Sequence, residues 1–283
     1  MSTLIARRRQ QKERFLVALV YGAVGIVVAV VVGLIAFILI NALPEFTWEI
    51  LSTSPSYLEE RIGILPDILN TIYIVVTSLA LVIPMGVGTA IYLTEYAKQG
   101  MLARMTEYCV ETLAGIPSII FGLVGMLIFC QFMGLQTSLI AGALTLMIMN
   151  LPTIIRTTQE SLKAVPMSLR EAAFGLGATK WRVITSVVLP SSLGGIVTGA
   201  LLSIGRMLGE SAALLFTAGF AHTVHGFLSG LESPGATLTV ALYVYAKEQG
   251  EFEVAFVIAG VLLVLSVLIN LVATQLARRL KRI

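Results

Sequence analysis

Charge is what this 283-residue chain has least of. Asp, Glu, Lys and Arg make up 12% of it, about half the share usual in a soluble protein. Hydrophobic residues make up 57%, and they come in long blocks rather than in the periodic pattern of a soluble core. The chain therefore reads as an integral membrane protein. Its net charge of +3 is too small to imply a nucleic-acid partner. Only two cysteines occur, Cys109 and Cys130. They share one apolar run, where a helix holds them apart, so they read as buried free thiols. The two histidines, His222 and His225, are three apart in a polar segment without neighbouring carboxylate or cysteine. They read as loop residues rather than metal ligands. No Gly-x4-Gly-Lys-[Ser/Thr] occurs, which excludes ATP binding through a P-loop. With no Ser/His/Asp, zinc or haem constellation either, the chain reads as no enzyme in its own right and as lacking a cofactor. The first apolar run is too long for a cleaved leader, and no small-residue cleavage site follows it.

What is present is a series of six apolar runs, at 17–40, 67–92, 108–132, 137–155, 187–218 and 253–276. Each is near the roughly 20 residues that cross a bilayer as a helix. Pro84 lies inside the second run, and Gly115-Ile116-Pro117 breaks the third. Both are candidates for kinks or local unwinding, which lipid tolerates only where protein lines the backbone. The methionines at 126, 133, 147 and 149 read as packing. Glu95 and Tyr96 close the second run, where tyrosine is common at the membrane interface.

Basic residues set the orientation. The arm 1–16 (Arg7, Arg8, Arg9, Lys12, Arg14), the 93–107 loop, the 156–186 loop and the tail hold sixteen of nineteen Lys and Arg. Arg61 and Lys247 are the exceptions outside the spans, and Arg206 lies within one. By the positive-inside rule both termini and the 156–186 loop face the cytoplasm. The expected layout is an arm, first helix and external loop at 1–66, a membrane domain at 67–277, and a basic tail at 278–283.

The longest charge-bearing connection contains SLREAAFGLGATKWRVITSVVLP at 168–190. Ser168 with Glu171 is a capping-box pattern, which predicts the start of a short helix. Gly177 supplies a turn residue free to take positive φ, and Thr179 can cap a second helical segment. Arg170, Lys180 and Arg182 read as solvated residues or lipid-headgroup contacts. Glu171-Ala172-Ala173, then Gly177, then Val187-x-Leu189-Pro190 resembles the EAA loop of bacterial ABC-importer permeases, with Val187 in place of isoleucine. The resemblance implies a MetI-like, all-α permease fold of the type-1 transmembrane class. It also implies that Glu171, Ala172, Ala173, Gly177, Leu189 and Pro190 form the element that docks on an ATPase. A rigid-body movement of that ATPase then tilts the attached spans.

Arg206 is the other residue of interest. A lone charge in mid-span costs about 3 kcal/mol on insertion scales and marks a substrate path more often than a structural pair. Glu210 lies one turn on, so an i, i+4 ion pair is expected. Gly205 and Gly209 clear space, and Ser203 and Ser211 add hydroxyls. The planar guanidinium suits an oxyanion, and Glu210 would keep the anion from being trapped.

GRMLGESAALLFTA at 205–218, IYLTEY at 91–96, GIPSIIFGL at 115–123 and LPTIIRTTQESLKAVPMSLREAA at 151–173 resemble phosphate-transporter permease subunits of the PstA type. That resemblance implies inorganic phosphate as substrate, moved by alternating access in the bacterial inner membrane. It implies a homologous second permease, two ATPase subunits and a periplasmic phosphate-binding protein as partners. Three alternatives stay open. They are a permease for another oxyanion such as sulfate or molybdate, a membrane enzyme or assembly factor, and a secondary transporter, for which no internal repeat is evident.

Overall fold

The computed structural model describes residues 2–55, 62–97 and 100–280, and every regular element among them is helical. Side chains at 2–12, 102, 276, 277, 279 and 280 are not described. The expected contributions of Arg7, Arg8, Arg9, Lys12, Arg61, Lys98, Arg279, Lys281 and Arg282 to topology thus lie outside the described residues.

In chain order the helices are α1 (Ser2–Ala42), α2 (Trp48–Ser52), α3 (Leu65–Ile91), α4 (Met101–Gly115), α5 (Ser118–Gly125), α6 (Leu139–Lys163) and α7 (Met167–Gly175). They continue as α8 (Lys180–Val183), α9 (Leu189–Leu208), α10 (Ala212–Thr217), α11 (Phe227–Leu231), α12 (Leu238–Tyr243) and α13 (Phe252–Leu280). Wider π turns extend α3 (Tyr92–Tyr96), α5 (Met126–Phe132) and α12 (Val244–Gln249), and one joins α8 to α9 (Ile184–Val188). Among the described residues, five helices are long and apolar enough to cross a membrane: Glu13–Ala42, Leu65–Tyr96, Leu139–Lys163, Lys180–Leu208 and Phe252–Gln275. The pair Ala103–Gly115 and Ser118–Phe132, bent by 106°, makes six if taken as one span.

The chain's prolines act differently at each site. Pro117 sits at the N-terminal boundary of α5, and Ile116 before it is extended, with ψ of 132°. A residue preceding proline is driven out of the helical region, so the third run bends there. Pro84 stays inside an unbroken α3, so its expected break is absent. Pro190 is the second residue after the π turn Ile184–Val188. The wider turn accommodates a ring that would collide with a regular preceding turn.

Glycines set how close the helices come. A Cβ on Gly86 would lie 2.6 Å from Ile154 Cγ2, and one on Gly142 would lie 2.8 Å from Ile74 Cδ1. These contacts run in the same direction along both helices, so α3 and α6 lie parallel. Gly195 faces Ser161 and Gly199 faces Thr157, so α9 crosses α6 antiparallel. Gly122 of α5 rests on the backbone of Ala213 in α10. Close packing through small residues is what holds helices together where lipid supplies no hydrophobic drive. Ile74, Val82, Leu146, Met149, Ile154 and Met207 fill the core between them. α1 lies along α13, with Phe37 edge-on to Phe256 at 5.6 Å.

Four expectations are corrected here. α6 continues to Lys163, so the loop expected from 156 begins as helix. The fifth run is not one helix to 218: α9 stops at Leu208 and α10 restarts at Ala212. The 219–252 segment is not wholly an external polar loop, because Leu238, Thr239, Val240 and Ala241 of α12 are buried. Cys109 is exposed, and only Cys130 is buried.

Candidate functional site

The connection between α6 and α9 forms a knob at one end of the bundle. α7 closes with a complete Schellman motif. Ala178 N–H donates to Ala173 O at 3.1 Å, and Gly177 N–H donates to Phe174 O at 2.9 Å. Gly177 has φ of +83°, the left-handed conformation that this cap needs and that glycine adopts freely. Ala173 and Ala178 meet the same buried cluster beneath. The spacing from Ala173 to Gly177 is therefore that of a helix cap. Thr179 then accepts from Arg182 N–H at 3.4 Å and opens α8, as expected. The Ser168–Glu171 capping box does not form, because Pro166 starts the helix before Ser168 can cap it, and no side-chain cap bond is made. Glu171 and Ala172 are exposed, Leu189 is half-buried and Pro190 exposed. Around them Met167, Leu169, Phe174, Leu176 and Trp181 are also exposed, Leu176 at 90%.

The expectation of solvated side chains fails for Arg170, which is largely buried, while Lys180 is exposed yet held by partners. The Arg170 guanidinium pairs with the Glu95 carboxylate and also donates to Leu162 O at 2.7 Å. The Lys180 ammonium donates to the Glu95 carbonyl and lies 4.9 Å from the Tyr96 ring centroid. Arg182 is exposed.

Arg206 and Glu210 do not form the expected ion pair. The helix ends between them, so the i, i+4 register is lost. Glu210 instead caps α10: its Oε1 accepts from Ala213 N–H at 3.0 Å, and its carbonyl accepts from Thr239 Oγ1 at 2.8 Å. Ser211 begins that turn half-buried. Ser203 is fully buried, and its hydroxyl has no partner. Arg206 is half-buried and finds no hydrogen-bond or ion-pair partner among the described residues. It shares a face of α9 with Leu202, Gly205 and Gly209, all three exposed, and nothing crowds Gly205. An unpaired arginine in the last turn of a membrane-spanning helix cannot face hydrocarbon cheaply. This face must meet water or another protein. The cap gives a direct prediction. Glu210→Ala should lower the thermal stability of the purified protein by about 1 kcal/mol, the usual worth of a lost cap. Glu210→Gln should keep most of it, because an amide oxygen still accepts. Equal melting of both variants and the parent would contradict the role.

At the opposite end from the knob, the chain after α10 folds back over the start of α3. Asn70 Nδ2 donates to Ala236 O at 3.2 Å, and Thr71 Oγ1 accepts from Leu238 N–H at 2.9 Å. His222 Nδ1 lies 2.7 Å from Asp67 Oδ1, so His222 is not a plain loop residue. Asp67 and His222 are 155 residues apart, a pairing no local pattern announces. Among the described residues, no group of three or more His, Cys, Asp or Glu could hold a metal.

Residues 82–282 match the family described as binding-protein-dependent transport system inner membrane component. The chain belongs to that family. It is 37% identical over 194 residues to the probable ABC transporter permease protein YqgI of Bacillus subtilis, covering 69% of this chain and 66% of that one. It is 40% identical over 156 residues to phosphate transport system permease protein PstA 1 of Mycobacterium tuberculosis, covering 53% and 51%. It is 34% identical over 226 residues to PstA of Haemophilus influenzae, covering 77% and 78%. The chain thus spans from about half to just under two thirds of the length of the first curated relatives it matches. Among solved structures, an inward-facing MetNI methionine ABC transporter superposes with a TM-score of 0.64 at 21% identity, covering 77% of this chain and 95% of that one. A bacterial alginate ABC transporter, in complex with a pentasaccharide-bound periplasmic protein, gives 0.71 at 15%, covering 96% of each. The fold is the all-α, MetI-like importer-permease fold of a multi-pass membrane protein.

Proposed function

We propose that this chain is the translocation subunit of an ATP-driven phosphate importer in the bacterial inner membrane. The observation that carries this reading is Arg206, a guanidinium without a protein partner among the described residues, on an open, glycine-cleared face in the last turn of α9, where the fifth apolar run breaks. Its planar fork fits two oxygens of a tetrahedral oxyanion. Relatives named as phosphate permeases support phosphate as that anion. A second permease covers the Arg206 face, so the conduit lies between two subunits. Both termini and the knob face the cytoplasm. Two ATPase subunits bind there and hydrolyse ATP, while this chain catalyses nothing and needs no cofactor. A periplasmic phosphate-binding protein delivers substrate at the α12 end. Glu171, Ala172, Ala173, Gly177, Leu189 and Pro190 belong to the docking element, the last four mainly by shaping it. Arg206 contacts the anion; Glu210, Ser211 and Ser203 shape the path beside it.

Uptake of labelled phosphate into proteoliposomes holding the complete complex tests this, with sulfate and molybdate as competitors. Uptake that needs ATP and resists both competitors is expected. Uptake of sulfate or molybdate instead would move the chain to another oxyanion importer, and no ATP-dependent uptake of any anion would remove the importer reading.

A further inference from the structure

The side-chain polar contacts between the knob and the membrane helices centre on Glu95, which the docking surface itself does not include. Glu95 lies in the π turn that ends α3. Its carboxylate holds Arg170 of α7, and its carbonyl holds Lys180, the first residue of α8. The same Arg170 reaches Leu162 O in the last turn of α6, where the helix dipole favours a cation. The Glu95 and Arg170 side chains are only 9% and 13% exposed, so solvent screens this pair little. Three membrane helices therefore meet at Glu95 and Arg170: α3 through Glu95 itself, α6 through the Leu162 carbonyl on Arg170, and α9 through α8, whose Lys180 donates to the Glu95 carbonyl. Besides this junction, α7 is held by the short connections at 164–166 and 176–179 and by Ala173 packed on the buried cluster beneath it.

We infer that the Glu95–Arg170–Lys180 clamp is the joint that makes α3, α6 and α9 follow α7 when the ATPase moves it. This rests on the importer reading above. Without the clamp, the knob still presents Leu176 and Trp181 to its partner, but α7 rolls over the small apolar contact at Ala173 instead of tilting the spans. Arg170 and Glu95 are positioning residues. They act on coupling and touch neither the anion nor ATP.

The test measures phosphate moved per ATP hydrolysed, in the reconstituted full complex, for the parent, Glu95→Gln, Arg170→Gln and the double variant. A fold defect lowers transport and hydrolysis together and leaves their ratio unchanged, whereas a broken joint lowers the ratio. Each single variant should lose at least about fivefold in the ratio, the low end of coupling between sites. The double variant should lose no more than either single one, because both remove the same contact. Lys180→Gln, which leaves the buried pair intact, should lose less and keeps the test available if the others fail to assemble. An unchanged ratio in the variants that assemble, or losses that multiply in the double variant, overturns the clamp. If the parent shows no ATP-driven phosphate uptake at all, the importer reading falls and the clamp with it. Parent activity with unaltered variants removes the clamp alone.

Discussion

Arg206→Ala should end phosphate uptake while the complex still assembles. The two halves of that expectation come from one observation, the lack of any partner for Arg206 among the described residues. Nothing folded around the guanidinium is lost with it. Removing an unpaired charge from an apolar run relieves insertion cost, so assembly should be no worse than in the parent. The anion loses a charge-assisted contact worth about 1.5–3 kcal/mol per bond, and the fork offers two. A fall of roughly 100-fold or more in uptake follows. Arg206→Lys keeps the charge but not the paired geometry, and should lie between the two. Labelled phosphate uptake, read beside the yield of co-purified partners, checks both halves. Parent-level uptake in Arg206→Ala would take this residue out of the path. Loss of assembly would make it structural.

Leu176→Asp should strip the ATPase subunits from the purified complex. Leu176 follows the last turn of α7 and is 90% exposed, so its replacement removes almost no packing within the chain. Phe174 and Trp181 of the same knob are exposed too, so the knob offers further apolar surface. A carboxylate placed at the centre of such a contact is desolvated without a partner. Central interface residues are worth about 2–4 kcal/mol, which predicts at least a 30-fold weaker association. The variant should insert in the membrane and melt like the parent when purified alone. Full retention of the ATPase subunits would show that the knob docks through another face.

Much of this arrangement is legible in the sequence. Blocks of apolar residues located the spans, because about 20 residues must be continuous to cross lipid. Ile116-Pro117 marked the bend, and Gly177 marked the left-handed cap. The break in the fifth run was hidden because hydropathy does not register a helix end inside an apolar stretch. There Gly209 stops the helix, and Glu210 replaces the lost ladder bonds with its own carboxylate. That one event turned an expected ion pair into a cap and left Arg206 unpaired. The burial of α12 was missed for a related reason: six residues are too few to read as a span. Glu95 with Arg170 and Asp67 with His222 join positions 75 and 155 residues apart. In both pairs at least one partner had a sufficient local explanation, as an interfacial or a loop residue. Only tertiary packing brings them together.

The measurement that tests the importer account most directly is ATP hydrolysis by the nanodisc-embedded complex, with the binding protein loaded in turn with phosphate, sulfate or molybdate. The account predicts stimulation by the phosphate-loaded form alone, and its loss when Arg206 or Leu176 is changed as above. Stimulation by sulfate or molybdate would contradict the substrate, and failure of any ATPase to co-purify with this chain would contradict the importer itself.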